Sequence, residues 1–311
     1  MKQILVMMTA VVLVGCGEKP ASSTPKSEPK IPAPSQAAEA EAQVTPTPSP
    51  DPVSQADEKL IADPIVEKAV RESLEKPKGE ITEADLEKVT RLQLGLTKIT
   101  DAGLKDVAKL QKLTFLGLFF TEITDAGLKD VAKLQKLERL GLDNTKITDV
   151  GLKEVAKLQQ LERLSLEETK FTDAGLKEVA KFQNLESLSL RGTQITDAGL
   201  KEIAKLQELT FLGLSDTRIT NVGLKEVAKL QNLEWLNLMS TQIAYGSLKD
   251  LAKLQNLKTL FLSDTQITDA DLKEVAKMQK LKLLQVEITQ VTDAGVAELK
   301  KALPNCQIDG P

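Results

Sequence analysis

The chain has 311 residues, a formal net charge of -4, no histidine and an aromatic fraction of only 3%. A compact core of this size normally contains more aromatic residues, so aliphatic side chains must form it, as in scaffolds that stack many similar layers. The negative charge disfavours nucleic acid as a partner. Without histidine, the chain cannot form imidazole-based catalytic triads or dyads or the common histidine-bearing zinc sites.

The N-terminus is typical of a signal peptide. Lys2 precedes an apolar run from Ile4 to Leu13, which is too short to span a bilayer as a helix. The segment Leu-Val-Gly-Cys at residues 13–16 resembles the lipobox of bacterial lipoproteins. This resemblance implies that residues 1–15 are removed and that Cys16 is lipidated, which anchors the protein to a membrane. The alternative is a secretory signal with an incidental cysteine.

Residues 16–56 have the composition of a disordered linker, rich in Pro, Ala and Ser. An extended proline-rich chain of this length reaches on the order of 100 Å from a membrane. Gly17 follows the lipidated position, where an aspartate would resemble an inner-membrane retention signal. The sequence therefore predicts a tether in the bacterial cell envelope and favours the outer membrane over the inner membrane.

A 24-residue pattern tiles residues 89–304 as nine units, whose residues are numbered here by position 1 to 24. Positions 4 and 6 alternate with variable positions 3, 5 and 7, which predicts a short strand with one buried face. Positions 16, 19, 20 and 22 have the spacing of a helix with one buried stripe, and Thr and Asp at positions 12 and 13 suit its start. The units begin at Val89, Leu113, Leu137, Leu161, Leu185, Leu209, Leu233, Leu257 and Leu281.

The strand segment Leu-x-x-Leu-x-Leu and the segment Ile-Thr-Asp-Ala-Gly-Leu resemble the leucine-rich repeat family, in particular its cysteine-containing and GALA subtypes. The resemblance implies an α/β solenoid with a parallel sheet on the concave face and helices on the convex face. Residues 57–88 are predicted to be an N-terminal helical cap, because Asp63-Pro64 and Lys76-Pro77 lie in a segment that resembles the cap of internalin-like surface proteins. Residues 305–311 are predicted to close the other end.

Two features depart from the regular pattern. Position 9 is threonine in all nine units, and we expect its hydroxyl to bond the turn backbone of neighbouring coils. In the seventh unit, Ala244-Tyr245-Gly246-Ser247-Leu248 replaces Thr-Asp-Ala-Gly-Leu, which predicts a shifted or shortened helix start.

The sequence offers little for catalysis or metal binding, so we expect no enzyme activity, no cofactor and no metal. Cys306 is the only cysteine besides Cys16, which excludes Cys₄ and iron–sulfur sites. Cys306 is either a reactive thiol or a small apolar residue of the cap, and the second interpretation is favoured. The glycines at position 15 lack phosphate-loop spacing and indicate close packing at the helix start.

Aromatic residues concentrate on the strand positions that face away from the core. Two apolar patches, with a mixed-charge band of Asp143, Glu167 and Arg191 and two further arginines between them, indicate a surface that binds a protein. The alternative is that the aromatic rings only shield the sheet; Phe171 and Phe182 fall at core positions. The candidate partner-binding residues are Phe115, Phe119, Phe120, Arg139, Arg163, Phe211, Trp235, Met239, Phe261 and Leu283.

These observations leave two functions open. The first is an envelope-anchored recognition module that binds a protein on the concave face. The second is a structural or cell-wall-associated envelope lipoprotein without a specific soluble ligand. A carbohydrate ligand would use Trp235 and Phe261 as stacking platforms, although one Trp and one Tyr make a small inventory for sugar binding.

The predicted lipidation of Cys16 can be tested by substitution. We expect Cys16→Ala to leave the repeats folded but to release the protein from the membrane, because the acyl chains would have no attachment site. Partitioning between detergent and aqueous phases measures this. A Cys16→Ala protein that still fractionates with membranes would contradict the lipobox interpretation.

Overall fold

The computed structural model describes residues 59–311. The predicted signal peptide, the lipidation site Cys16 and the predicted linker lie outside the described residues. Within residues 59–311, no helix is long and apolar enough to cross a membrane.

Ten strands form one parallel sheet in which each strand pairs with the next strand along the chain. The strands recur every 24 residues through the repeats, and each occupies positions 3 to 5 of its unit. They are β1 Arg91–Gln93, β2 Phe115–Gly117, β3 Arg139–Gly141, β4 Arg163–Ser165, β5 Ser187–Ser189, β6 Phe211–Gly213, β7 Trp235–Asn237, β8 Thr259–Phe261, β9 Leu283–Gln285 and β10 Gln307–Asp309.

Short helices follow the strands and cover the opposite side of the core. Two helices precede the first strand, α1 Pro64–Ser73 and α2 Glu83–Leu86. The helices of the repeats are α3 Leu104–Val107, α4 Leu128–Val131, α5 Asp149–Val155, α6 Asp173–Val179, α7 Asp197–Ile203, α8 Leu224–Val227, α9 Leu248–Leu251, α10 Asp269–Val275 and α11 Asp293–Ala302. This arrangement confirms the predicted α/β leucine-rich-repeat solenoid.

The core is a stack of similar aliphatic layers. Leu140 and Leu142, at positions 4 and 6, point inward and are 2% and 0% exposed, and Leu152 and Val155 of α5 close the layer from the helical side. Phe171 and Phe182 occupy core positions, as predicted, and each is 1% exposed. Because each layer packs on the next, a unit has no complete core by itself.

The first layer is covered by the segment before β1. Asp63 caps α1 by accepting hydrogen bonds from the amides of Ile65 and Val66 at 2.8 and 3.1 Å. Val66 is fully buried. Asp106 of the first unit accepts hydrogen bonds from the amides of Ala62 and Asp63, both at 2.7 Å, which ties this segment to the solenoid.

The last layer is closed by β10, which adds a tenth strand beside β9. Leu303 and Cys306 are 4% and 8% exposed there. Burial raises the pKa of the Cys306 thiol, which disfavours the reactive thiolate. The cysteine therefore acts as a small apolar residue of the last layer.

The threonine column at position 9 bonds the backbone of its own coil. In every unit the Thr hydroxyl donates to the carbonyl oxygen at position 6, three residues earlier, at 2.5 to 2.7 Å. The expectation of bonds to neighbouring coils was therefore wrong. A strand that turns after three residues leaves its own carbonyl unpaired, and the nearest hydroxyl on the same turn satisfies it.

The aspartates at position 13, in contrast, make side-chain hydrogen bonds between coils. Asp149 accepts from the amide of Thr172 at 2.9 Å and from the hydroxyl of Thr172 at 2.6 Å, and Thr172 lies at position 12 of the next unit. The same pair of bonds joins Asp101 to Thr124, Asp125 to Thr148, Asp173 to Thr196, Asp197 to Thr220 and Asp269 to Thr292.

The glycine at position 15 makes room for this aspartate. A Cβ atom at Gly175 would lie 2.5 Å from Oδ1 of Asp149. The predicted close packing at the helix start is therefore confirmed, and the crowding partner is a carboxylate of the preceding coil.

The seventh unit interrupts the aspartate column. Tyr245 replaces the aspartate and is exposed, and Gly246 adopts a left-handed φ of 80°. The turn is therefore irregular, but the predicted shift or shortening of the helix start is not found, because α9 begins at position 16 as α3, α4 and α8 do. The four-residue length of α9 is not distinctive, because α3, α4 and α8 are equally short.

A second replacement compensates for the first. Asp271 stands at position 15 of the eighth unit, where glycine is usual, and is 2% exposed. Its carboxylate accepts hydrogen bonds from the amide of Gly246 at 2.8 Å and from the amide of Thr268 at 3.0 Å. Tyr245 leaves space for this side chain, and Asp271 supplies the carboxylate that the seventh unit lacks.

Substitution of a position 9 threonine tests the hydroxyl bond. We expect Thr145→Val to lower the free energy of unfolding by about 1 to 3 kcal/mol, because the buried Leu142 carbonyl loses its hydroxyl donor. Thr193→Val is the matched control, since the Leu190 carbonyl also accepts from the Thr193 amide at 3.3 Å. Chemical denaturation should show the smaller loss for Thr193→Val, and equal losses would contradict this assignment.

Candidate functional site

The exposed face of the sheet carries the side chains of positions 3, 5 and 7. In-register pairing places equal positions side by side, so each position forms a row that runs across the strands. Neighbouring members of a row lie about 4.8 Å apart. Residues that are distant in the sequence therefore form continuous surfaces.

Three predicted site residues form an aromatic cluster on β6 to β8. The rings of Phe211 and Trp235 stack with their centroids 3.8 Å apart and an interplanar angle of 9°. The ring of Phe261 also contacts Trp235, with the two centroids 5.3 Å apart and an interplanar angle of 59°. Met239 and Leu283 are half-buried and lie at the margins of this aromatic cluster, Met239 further along the β7 coil and Leu283 on β9.

The three N-terminal phenylalanines divide into two groups. Phe119 covers Gly95, where an added Cβ would lie 2.7 Å from the ring, and this contact fits the shielding role. Phe120 leaves the strand with a left-handed φ of 53°, is 55% exposed and meets Phe119 edge-on at 6.4 Å. Phe115 instead lies beneath the guanidinium of Arg91, 4.2 Å from the ring centroid, in a cation–π contact.

Arg139 and Arg163 are in-register neighbours on β3 and β4. Within residues 59–311, neither side chain forms a salt bridge or a hydrogen bond, whereas Arg191 pairs with Asp216 at 2.9 Å and with Glu168 at 3.7 Å. The hydrogen bond that Arg191 donates to the Asp216 carboxylate raises the pKa of Arg191 above its usual value.

The acidic residues of the predicted band are engaged by their neighbours. Asp143 accepts from the hydroxyl of Ser165 and from the amide of Glu167, the latter at 2.8 Å. Glu167 in turn accepts from the hydroxyl of Ser189 at 2.5 Å. These carboxylates organise the exposed face of the sheet and leave the two arginines unpaired.

A groove of about 390 Å³ lies over the centre of the sheet. We call it the central groove; its ends are Phe115 and Phe211, and Arg139, Arg163 and Glu167 line its sides. The floor is uncharged and small, and consists of Gly141, Ser165, Ser187 and Ser189 with parts of Leu140 and Leu164.

Sequence reasoning treated this region only as a charged band between two patches. The signal for a groove was the run of Gly, Gly, Ser, Ser and Gly at position 5 of the second to sixth units. Among residues 59–311, no cluster of His, Cys, Asp or Glu is arranged to hold a metal ion.

Parts of the sequence match a known family of repeat proteins. A family model described as Leucine Rich repeat matches residues 86–108, 183–204 and 253–276. The described chain is a leucine-rich-repeat solenoid. Each matched segment lies in a repeat or at its border, so the sequence match and the strand spacing agree.

Solved structures of internalins from Listeria monocytogenes are similar to this solenoid. Internalin C2 of strain 4b F2365 has a TM-score of 0.54 at 26% identity, with 81% of this chain and 95% of that chain covered. The internalin inlF has a TM-score of 0.37 at 21% identity, with 80% of this chain and 95% of that chain covered. No curated protein sequence matches the chain. The described residues thus form a leucine-rich-repeat solenoid that is similar to that of internalin C2.

The aromatic cluster can be tested by fluorescence, because Trp235 is the only tryptophan. We expect Phe211→Ala to shift the Trp235 emission to longer wavelength, since the stacked ring that excludes water from one face of the indole is removed. Phe119→Ala, at the other end of the sheet, is the control and should leave the emission unchanged. An unshifted spectrum for Phe211→Ala would contradict the stacking.

Proposed function

We propose that this protein is a non-enzymatic recognition module that binds a protein partner on the concave face of its solenoid. The leucine-rich-repeat fold suggests protein recognition, since it presents a broad surface. The observation that carries the proposal is the aromatic cluster of Phe211, Trp235 and Phe261 next to the central groove. Aromatic and arginine side chains are enriched at the centres of protein interfaces.

The contacts of the exposed side chains favour a partner-binding role for the aromatic cluster over a role in shielding the sheet. Phe119 covers a glycine of its own sheet, whereas Phe211 and Trp235 cover each other and remain half-buried. Arg139 and Arg163 have no partner within residues 59–311 to satisfy their charge. Unpaired guanidinium groups beside an aromatic cluster provide the two kinds of contact that a protein partner uses.

We place the module in the bacterial cell envelope, anchored by lipid on Cys16, with the outer membrane favoured over the inner membrane. The internalin-like solved structures suggest a bacterial surface protein. The lipobox-like segment and the linker in residues 16–56 support the anchor and the reach from the membrane.

The structural or carbohydrate-associated alternative has less support. A sugar ring stacks on an open aromatic face, and Phe211 already covers one face of Trp235 at a centroid distance of 3.8 Å. Phe261 meets the indole at 59°, so the two rings present no common flat platform.

Affinity capture from the native envelope, with the lipid anchor intact, tests the proposal. We expect Trp235→Ala and Phe211→Ala each to weaken capture of the native partner by about 2 kcal/mol or more, as for aromatic anchors at a desolvated centre. Lys201→Ala on the convex helix α7 is the control and should change capture little.

All three variants are compared at equal folded fraction, judged by thermal unfolding. Loss of binding in Lys201→Ala alone would move the interface to the convex face. Loss of stability in both aromatic variants, without a change in affinity per folded molecule, would make the rings structural.

A further inference from the structure

Around the central groove, the arginines and the carboxylates lie in two different rows. Arg91, Arg139 and Arg163 lie at position 3, whereas Asp143 and Glu167 lie at position 7. Positions 3 and 7 are four residues apart, which is about 13 Å for an extended chain. One edge of the central groove is therefore basic, although the whole chain has a net charge of -4.

The basic edge is available to a partner, while the acidic edge is already satisfied. Ser165, Ser189 and the amide of Glu167 donate hydrogen bonds to the two carboxylates. Neither Arg139 nor Arg163 has a carboxylate partner within residues 59–311. The two arginines stand side by side on strands about 4.8 Å apart, and each guanidinium group can bind a carboxylate through bidentate hydrogen bonds.

The floor of the central groove allows another backbone to approach closely. Gly141, Ser165 and Ser189 follow one another at position 5 of adjacent strands, and none has a side chain larger than the hydroxymethyl group of serine. The space above Gly141 is open, since a Cβ atom there would meet nothing closer than 3.9 Å. Residues without bulky side chains are used where a ligand backbone approaches a sheet.

The aromatic cluster continues the groove along the solenoid axis. Phe211 ends the groove on β6 and stacks on Trp235 of β7. Three strand spacings separate the middle of the arginine pair from the middle of this ring pair, a distance of about 14 Å. An extended peptide covers that distance in about four residues.

We propose that the central groove takes an extended, acidic segment of the protein partner, whose carboxylates pair with Arg139 and Arg163 and whose apolar side chain packs on the aromatic cluster. This inference rests on the proposed function and specifies the chemistry of its ligand. Charge complementarity selects the segment: among the residues that line the groove the two unpaired arginines outnumber the one glutamate, and an apolar anchor is required about four residues away.

Selection from a displayed library of random 12-residue peptides tests this chemistry, with the full chain immobilised in non-ionic detergent. We expect the selected peptides to be enriched in Asp and Glu, with an apolar residue about four positions from the acidic pair. A selected peptide should bind about tenfold or more weakly when its acidic residues are replaced by Asn and Gln.

Charge reversal assigns the acidic preference to the arginine pair. We expect Arg139→Glu with Arg163→Glu to abolish the enrichment of acidic peptides and to favour basic ones. Lys201→Glu with Lys225→Glu is the matched control, because it makes the same charge change at exposed positions of neighbouring convex helices. The control should select the same acidic peptides as the unmodified chain.

A third variant blocks the groove without changing its charge. Gly141→Leu has room for its Cβ atom, so the strand should fold normally while the longer side chain fills the floor. We expect it to weaken binding of the selected acidic peptide about tenfold or more. Thermal unfolding of each variant establishes that the folded fraction is unchanged.

Three results would overturn the inference: no enriched peptides, enrichment without acidic bias, or the same acidic peptides on the Arg139→Glu, Arg163→Glu protein. Titration with alginate, an acidic polysaccharide, can give a fourth contradicting result. If alginate binds in a way that depends on these arginines and no peptide is selected, the groove is assigned to a polysaccharide. The proposed function fails separately. If native capture depends on Trp235 but not on the arginines, the recognition module stands and the acidic ligand is wrong.

Discussion

Contact between successive coils is the interaction on which the rest of this structure depends. Each unit buries its leucines against the next layer, so no unit has a complete core alone. The aspartates at position 13 add directional bonds to this apolar stacking, because each carboxylate binds both the amide and the hydroxyl of the threonine in the next coil. Glycine at position 15 is a consequence of the same contact, since a larger side chain would collide with the carboxylate.

The seventh and eighth units show that this contact can be satisfied in a second way. Tyr245 removes the carboxylate from one coil, and Asp271 returns a carboxylate from the following coil at the position where glycine is usual. The Asp271 carboxylate accepts from the amide and the hydroxyl of Thr268, the groups that an aspartate at position 13 binds in the other coils. The solenoid therefore tolerates local change if the amides at each turn keep an acceptor.

The core of this scaffold is formed by inward-facing side chains and by contacts between coils. The exposed strand positions are therefore free to serve recognition. The strands present three rows of side chains, and their residues need not serve the core. In this protein position 3 carries the unpaired arginines and, further along the solenoid, the stacked aromatic rings, whereas the engaged carboxylates of Asp143 and Glu167 lie at position 7. Because the unpaired arginines and these two carboxylates lie at different positions of the coil, one edge of the groove is basic and can select a ligand by its charge.

The sequence by itself determined the solenoid, because a 24-residue period fixes which residues face the core and which strands become neighbours. It also identified Phe211, Trp235 and Phe261 as one patch, since equal positions in adjacent units must lie side by side. Only the tertiary structure decided which polar groups pair. The position 9 threonines bond their own coil, the aspartates bond the next coil, and Asp143 and Glu167 bond serines rather than arginines. Periodicity gives the row of a residue, but hydrogen bonding depends on the distance and direction between particular atoms, and these follow from the turn geometry of the folded chain.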